Sequence, residues 1–501
     1  MRISLFVTVM TLTPIFIVPA VAGLACLRVR SPHVMTALGA LGFLTTLALG
    51  LRLLHQVLAR GAVLECHEFF HADALSAWMV LLISLVSLGT SLYAGGYFQR
   101  DLADGVVTPG RVRQFFVLTQ LFAAGMFLVV LANSLGVMWA AVEATALASV
   151  LLVALYNRRT SLEAAWKYVM LGSLGLALAL LGTVFVYAAA CKNNPQPLPS
   201  FNWSHLMTVA GGLDRGLVRL AFVLVLLGYG TKAGLAPMHT WLPDAHSEAP
   251  SPTSAMLSGV SLKIALYALL RFHILTTACL DSGFSRHLLL AFGLFSMFLA
   301  APFILVQRNL KRMLAYSSLE HVGLICAGIG MNTPLTIFGA LLHMGYHALT
   351  KPVLFFAAGN IHQTCHTLQF RLIGPGLLKT LPVTVLFMAL AAGAATGLPP
   401  FGLFFSELTV IGGGMATGQV TASVLVLVAL IACFCGILQQ LTRILLGAPK
   451  REHVSDARPT DGLPAMALLL GGLLVFSVWL PAPVLQVIQQ AAGIIGGKPW
   501  R

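Results

Sequence analysis

Long apolar stretches separated by short polar connections follow one another along the whole chain. The pattern predicts an all-α polytopic membrane protein with about fourteen transmembrane helices, because most stretches have the roughly 20 residues that cross a bilayer. The predicted helices lie at 4–27, 34–58, 72–97, 114–133, 134–156, 163–190, 217–242, 252–276, 286–306, 311–331, 333–359, 381–412, 420–446 and 464–494. The first is expected to be retained, because no small-residue cleavage site and polar mature domain follow it.

Two stretches of five predicted helices look like related halves. In each half the fourth helix is interrupted by Gly and Pro, at 230–237 and at 396–402. Because five is odd, the second half is expected to enter the membrane inverted, and inverted repeats with matched broken helices are typical of ion-coupled transporters. The predicted parts are flanking helices at 1–113, a first repeat at 114–276, a second repeat at 286–446, and a last helix with its tail at 464–501.

Hydrophobic residues make up 58% of the chain and charged residues only 9%, whereas soluble domains are roughly 25% charged. The net charge of +14 comes mainly from Lys and Arg in short connections. There it sets membrane topology, and it does not indicate nucleic-acid binding. The odd-numbered connections carry more Lys and Arg than the even-numbered ones. The positive-inside rule therefore predicts that both termini lie outside the cytoplasm.

Lys232 is exceptional among the apolar positions, because a lysine at bilayer depth costs about 2.5–3.5 kcal/mol on insertion scales. It lies beside the first interruption, and broken helices at that depth occur only inside protein or along a water-filled cavity. Further ionisable residues fall inside the predicted helices, namely Glu143, Lys263, Glu320, His321, His343, His347, Lys351 and Glu407. Such a set indicates an ion path.

A buried Glu–Lys pair exchanges protons near neutral pH when one partner moves, because burial disfavours both charged forms and the opposite charge restores them. Histidine titrates in the same range without help. Glu143 and Lys232 are expected to form such a pair. His343, His347 and Lys351 are spaced four apart, so they form one polar stripe on a helix. The set predicts a proton wire with electrostatic switches.

Simpler interpretations stay open at this point. Glu143 and Lys232 could be a structural ion pair. His343 and His347 could be satisfied core histidines, or metal ligands at i, i+4 without a close third ligand. Lys351 could extend its amine to the membrane surface, and Arg271 is expected to anchor a helix end.

No cofactor and no metal site is predicted in this chain. The segment 67–71, His-Glu-Phe-Phe-His, fits the zinc-protease pattern, but it is expected just before the third helix rather than within a helix. The eight cysteines are scattered, and Cys433 and Cys435 do not have an iron–sulfur spacing. Gly-rich phosphate-binding motifs in the right context do not occur in the sequence.

Three segments closely resemble the antiporter-like proton-channel subunits of complex I and of group 4 membrane-bound hydrogenases. They are Lys-Ala-Gly-Leu-Ala-Pro-Met-His-Thr-Trp-Leu-Pro-Asp-Ala-His-Ser-Glu-Ala-Pro from position 232, Arg-Met-Leu-Ala-Tyr-Ser-Ser-Leu-Glu-His from position 312, and Gly-Leu-Pro-Pro-Phe from position 397. Segments 139–145 and 161–168 are most similar to the hydrogenase-4 component F type. The resemblance covers almost the whole chain.

The resemblance implies fourteen helices, two inverted five-helix bundles and a central hydrophilic axis. The family's functional residues match Glu143, Lys232, Lys263, His321, His347 and Glu407, with His239, Asp244, Glu320, His343 and Lys351 as supporting residues. The protein is expected to lack the long lateral helix of the complex I chain L type and to be closer to the M type.

The expected function is proton translocation, with sodium as the alternative ion, as a membrane subunit of a multisubunit oxidoreductase of hydrogenase-4, formate hydrogenlyase or NADH:quinone type. This chain is expected to perform no redox chemistry. A Ni–Fe centre and iron–sulfur clusters are expected in partner subunits, within a bacterial or archaeal cytoplasmic (inner) membrane. The alternatives are an Mrp-type cation/proton antiporter subunit and an energy-coupling membrane subunit of an inorganic-carbon uptake complex.

Overall fold

The computed structural model describes residues 10–192, 201–280, 283–446 and 462–497. Residues 4–9 of the first predicted helix and the tail beyond 497 lie outside this part of the chain. Most described residues are helical. The first helices are α1 (Leu12–Cys26), α2 (Pro32–Arg60), α3 (Ala74–Ala103), α4 (Pro109–Leu131), α5 (Leu135–Val153), α6 (Arg159–Lys192) and α7 (Trp203–Thr208). A short antiparallel hairpin, β1 (Val63–Glu65) and β2 (Phe70–Ala72), precedes α3.

The remaining helices follow in two groups. The first contains α8 (Arg215–Ala233), α9 (Trp241–Glu248), α10 (Ser251–Met256), α11 (Leu262–Leu280), α12 (Phe284–Val306), α13 (Leu310–Gly330) and α14 (Pro334–Cys365). The second contains α15 (Phe370–Ile373), α16 (Leu377–Thr380), α17 (Pro382–Ala395), α18 (Gly402–Ala416), α19 (Val420–Leu445), α20 (Leu463–Val478) and α21 (Ala482–Gly496). A π-helical turn at Leu257–Ser261 joins α10 to α11 without a break.

Side-chain caps define where several of these helices begin. Asp73 accepts a hydrogen bond from the Ser76 amide at the start of α3. Thr333 and Thr336 form a reciprocal capping box at the start of α14, whose first residue is Pro334. These residues satisfy amide groups that have no partner within the first helical turn.

The number of membrane-spanning helices is smaller than predicted. In the described ranges, ten helices are long and apolar enough to cross a membrane, or eleven if α20 and α21, which meet at a 78° bend, form one span. The prediction of fourteen is corrected for three reasons. Only 15 residues of α1 are described as helical, α14 carries His343, His347 and Lys351, which lower its mean hydropathy, and the stretch 381–412 consists of two short helices, α17 and α18.

The helices that carry Lys263, Glu320 and His321 are among the most enclosed. The most apolar windows of Ser251–Leu280 and of α13 are 100% buried, and that of α3 is 89% buried. In contrast, the corresponding windows of α12 and α19 are only 39% and 33% buried, so these helices expose apolar side chains at the periphery. The arrangement keeps ionisable groups away from the hydrocarbon that surrounds a membrane protein.

A buried ion pair joins the start of α3 to α11. The Arg271 guanidinium donates two hydrogen bonds to the Asp73 carboxylate, at 2.6 and 2.8 Å. It also contacts Tyr267 and lies 4.5 Å from the Trp203 ring. Burial opposes ionisation of Asp73, but the adjacent guanidinium lowers the pKa of this carboxyl below its usual range. Arg271 is therefore a clamp between two helices and more than a helix-end anchor.

The zinc-protease pattern at 67–71 lies in the β1–β2 hairpin. His71 is in β2, opposite Leu64, and His67 and Glu68 are in the turn with positive φ angles. Glu68 pairs with His205 at 2.9 Å. The two histidines are thus not on one helical face, which is the geometry that the zinc-protease pattern requires.

Candidate functional site: a buried polar axis

The first part of the axis surrounds Lys232 in the last turn of α8, which ends at Ala233, eight residues before α9 begins. Lys232 is 2% exposed. Its Nζ donates to the Tyr168 hydroxyl at 2.5 Å, and this hydroxyl also lies 2.8 Å from the Ser149 Oγ of α5. Tyr168 stacks on Trp241 with 4.3 Å between the ring centroids. A hydroxyl therefore links the lysine of α8 to α5.

The structure does not bring Glu143 into direct contact with Lys232. Glu143 is half-buried on α5. Across the described ranges, the ion pairs of 4.0 Å or less do not include a Glu143–Lys232 pair. The Lys232 amine instead meets Tyr168 of α6. The predicted contact is corrected: α6 packs against α8, so the Tyr168 hydroxyl is the partner of the Lys232 amine. The spacing of charges in the sequence could not show this packing.

Lys263 and His347 form the centre of the axis. Lys263 is fully buried just after the π-helical turn, where its Nζ donates to the Ser258 carbonyl. The same Nζ lies 2.5 Å from the His347 Nδ1 on α14. A lysine ammonium offers donors and no acceptor, so the neutral imidazole beside it presents its Nδ1 lone pair and carries its hydrogen on Nε2. A proton on the Lys263 amine can therefore pass directly to the His347 Nδ1.

A cluster of three histidines continues the axis across α13 and α14. The rings of His321 and His347 are 4.7 Å apart between centroids. His321 Nδ1 lies 3.0 Å from His343 Nε2, and His343 Nδ1 lies 2.9 Å from the Ser406 Oγ of α18. All three imidazoles are fully buried. They connect Lys263 to α18 through short contacts.

The hydroxyl of Ser406 determines which group donates in the hydrogen bonds between Ser406, His343 and His321. Its hydroxyl donates to the Leu403 carbonyl at 2.8 Å, so it must accept from the Nδ1–H of His343. In neutral His343, Nε2 is then the acceptor, and it receives the Nδ1–H of His321. The hydrogen bond that Ser406 donates thus places the ring hydrogen on Nδ1 in both His343 and His321.

Lys351 and Glu320 flank the histidine cluster. Lys351 is fully buried and donates to the Ser317 Oγ at 2.8 Å and to the Leu314 carbonyl at 3.2 Å. The interpretation that this amine reaches the membrane surface is therefore wrong. Glu320 is 1% exposed, and its Oε2 lies 3.4 Å from the His321 Nδ1. Both residues are close enough to influence the charge of the cluster.

Glu407 forms the far end of the axis. It is 8% exposed on α18. The carboxylate lies directly against Gly397, where a Cβ would overlap it. One carboxylate oxygen of Glu407, one ring nitrogen of His321 and one ring nitrogen of His343 all lie within 4.8 Å of one another. A cleft of about 210 Å³, lined by Thr396, Gly397 and otherwise apolar side chains, opens beside the carboxylate.

Two predicted supporting residues lie away from this axis. His239 is buried between α8 and α9, with its ring centroid 6.2 Å from that of Tyr316. Asp244 of α9 is half-buried and forms ion pairs with Arg312 and Lys167. Asp244, Lys167 and Arg312 line a polar cleft of about 220 Å³. Asp244 thus belongs to a surface charge cluster that joins α6, α9 and α13.

Sequence reasoning missed the hydroxyl groups of the site. Tyr168, Ser149 and Ser406 each contact a predicted ionisable residue or its partner. A neutral hydroxyl inside a membrane helix bonds to its own backbone at little cost. Its presence in a sequence therefore does not attract attention in the way that a lysine does.

Comparisons with known proteins show the family of this chain. The family model described as "NADH:quinone oxidoreductase/Mrp antiporter, TM" matches residues 132–432, which contain all of the axis residues. The chain belongs to this family. The membership confirms the family predicted from the three sequence segments. It also agrees with the mostly helical, multi-pass membrane architecture.

Individual relatives of the family cover most of the chain. The "Hydrogenase-4 component F homolog" of Methylacidiphilum infernorum is 37% identical over 430 residues, which are 85% of this chain and 89% of the relative. The fold is similar to a chain of the membrane-bound sulfane sulfur reductase, an archaeal respiratory membrane complex, with a TM-score of 0.82, 23% identity and 97% coverage of both chains. It is also similar to a chain of the Mrp complex from Dietzia sp. DQ12-45-1b, with a TM-score of 0.82, 21% identity and 96% coverage of both chains.

Proposed function

We propose that this chain moves protons across a bacterial or archaeal cytoplasmic membrane as the antiporter-like subunit of a redox complex of hydrogenase-4 type. The observation that carries this proposal is the continuous line of buried ionisable groups from Lys263 through His347, His321 and His343 to Glu407. Buried titratable groups of this kind are costly in a membrane protein and are characteristic of proton relays. The relative named hydrogenase-4 component F homolog supports the choice of complex.

The Glu143–Lys232 part of the axis and the line from Lys263 to Glu407 have separate tasks. A change of charge at Glu143 acts electrostatically on Lys232, and the hydroxyls of Tyr168 and Ser149 carry this influence between α5, α6 and α8. The proton of Lys263 passes to the Nδ1 of His347, and the histidine cluster delivers a proton to Glu407 at the cleft. Sodium is the alternative ion, and the terminal carboxylate is the group that would bind it.

The architecture behind this mechanism is a pair of inverted repeats, 114–276 and 286–446, in a multi-pass membrane protein whose two termini lie outside the cytoplasm. Support comes from the positions at which helices end and restart. α8 ends beside Lys232, and α18 begins five residues before Glu407. Helix ends next to a charge supply backbone groups that bind or orient ions.

Redox groups belong to partner subunits in this proposal. A Ni–Fe centre and iron–sulfur clusters would supply the energy, and the residues of this chain hold and move protons. Purification with a [NiFe]-type large subunit and iron–sulfur proteins supports the proposal. Purification with small antiporter subunits instead would favour the Mrp type, which the family description also includes. A soluble zinc protein as partner would favour the carbon-uptake alternative.

Two substitutions test the switch in the assembled complex. Glu143→Gln and Lys232→Met each remove one charge, and we expect proton uptake into vesicles to be lost while electron transfer to artificial dyes largely survives. Glu68→Gln and Lys192→Met are matched controls, because these charges pair with His205 and Asp214 at the periphery. Normal proton uptake in both axis variants would reject the proposed role of the pair.

A further inference from the structure

Three helices each direct one metal-ligand side chain to the same point. His321 of α13, His343 of α14 and Glu407 of α18 place one ligand atom each within 4.8 Å of the other two. The two imidazoles are fully buried and the carboxylate is 8% exposed. The sequence had indicated His343 and His347 as an i, i+4 pair without a third ligand. Folding instead joins His343 to His321 and supplies Glu407 as the third ligand.

The ligand set is that of a zinc-type ion. Two imidazole nitrogens and one carboxylate oxygen, with a fourth position left for water, hold Zn²⁺ in open tetrahedral sites. Zn–N bonds of about 2.0–2.1 Å at a tetrahedral angle place the two nitrogens roughly 3.3 Å apart. His321 Nδ1 and His343 Nε2 are 3.0 Å apart, which is close to this separation. Mg²⁺ and Ca²⁺ require oxygen ligands and do not fit this set.

Neighbouring groups already prepare the ligands. Ser406 holds the hydrogen of His343 on Nδ1, which leaves Nε2 free to bind a cation. Bonds of this kind to the second ring nitrogen are typical around metal-bound histidines. The Nε2 of His321 has no hydrogen-bond partner in the described residues, so it can carry the ring hydrogen when Nδ1 binds the ion. The carboxylate of Glu320 lies 3.4 Å from the His321 Nδ1, so its negative charge would help to balance the positive charge of the cation.

We propose that His321, His343 and Glu407 bind one divalent transition-metal ion, with Zn²⁺ the best fit, and that the bound ion blocks proton transfer through the axis. The ion occupies the position of the hydrogen that His321 and His343 share. A cleft of about 210 Å³ lies beside Gly397 and Glu407, next to the three ligands. Binding is independent of the proposed function, whereas the blocking effect rests on it.

Metal binding is tested on the purified complex with Co²⁺ as the probe, because tetrahedral Co²⁺ absorbs visible light strongly and Zn²⁺ displaces it. We expect His321→Gln, His343→Gln and Glu407→Gln each to remove one bound Co²⁺ per subunit. His273→Gln is the matched control, a buried histidine that bonds to Ser285 away from the axis. Equal Co²⁺ binding in the three variants and the control would overturn the site.

A milder substitution keeps the test valid if a ligand variant fails to assemble. Ser406→Ala retains all three ligands and removes only the group that orients His343, so we expect about tenfold weaker Zn²⁺ binding. Unchanged affinity in this variant would contradict the assigned ligand atom.

Proton uptake measures the blocking effect. Zn²⁺ should inhibit proton uptake by the wild-type complex, and Ser406→Ala should need about tenfold more Zn²⁺ for half inhibition of its own rate. Zn²⁺ that binds at the three residues without slowing proton uptake would overturn the block but not the site. Failure of the Glu143 and Lys232 test with metal binding intact would count only against the proposed function.

Discussion

Lys263 has a histidine and a backbone carbonyl as its partners, and no carboxylate contacts its amine among the described ion pairs. Without a fixed negative charge, a fully buried ammonium is costly, and the neutral amine becomes accessible. The residue is therefore suited to give up its proton to His347. A purely electrostatic role would require the positive charge to persist throughout the cycle.

Substitution of Lys263 separates these two roles. Arginine keeps the charge but does not deprotonate in this pH range, so we expect Lys263→Arg to abolish proton uptake at least as completely as Lys263→Ala. Uptake is measured in vesicles driven by the assembled complex, with equal assembly verified. Full uptake by the Arg variant would exclude the relay and leave an electrostatic role.

The hydroxyl of Tyr168 can be removed without removing its ring. Tyr168→Phe keeps the stacking on Trp241 but deletes the link between Lys232 and Ser149. A hydrogen bond to a charged group contributes about 1.5–3 kcal/mol, so we expect proton uptake to fall about tenfold or more. Tyr187→Phe, on an exposed part of the same helix, is the control. Equal uptake in the two variants would show that the lysine does not depend on this hydroxyl.

At the scale of elements, the segment between α17 and α18 holds Glu407 in position. Gly397 has a φ of +66° and lies against the Glu407 carboxylate. Gly397→Ala should therefore displace the carboxylate and reduce proton uptake, in addition to a backbone cost of about 1–2 kcal/mol. Gly418→Ala is a close control, because Gly418 has a φ of +80° and open space around its Cα. If both variants lose uptake equally, backbone strain rather than Glu407 is responsible.

The clamp between α3 and α11 predicts a stability effect. Asp73→Asn keeps a residue that caps helices well but leaves Arg271 buried without its carboxylate. We expect a loss of about 3–5 kcal/mol, measured as thermal unfolding of the purified complex. Asp214→Asn is the control, since Asp214 also caps a helix but pairs with the exposed Lys192. Comparable stability of the two variants would contradict a structural role for the buried pair.

At the scale of the whole molecule, the sequence predicted the membrane class and the family, and it singled out the ionisable side chains that the structure places in the buried axis. Lysines and glutamates could be found because apolar surroundings make them exceptional. The separation of Glu143 from Lys232 could not be predicted, since it depends on how α5, α6 and α8 rotate against one another. The number of spans was overestimated because periodicity alone does not show that 381–412 divides into two short helices.

The number of residues in the π-helical turn at Leu257–Ser261 determines which way the side chains before and after it point. Near the start of the turn, the Ser258 hydroxyl contacts Ser318 of α13 at 2.7 Å, and just after the turn Lys263 contacts His347 of α14. Loss of a single residue from the turn would rotate its two flanks against each other by about 100°. One of the two contacts would then be lost although every ionisable residue remained. In this segment, an insertion or a deletion is therefore as damaging as a change of charge, and alignments of this family should contain no gaps there.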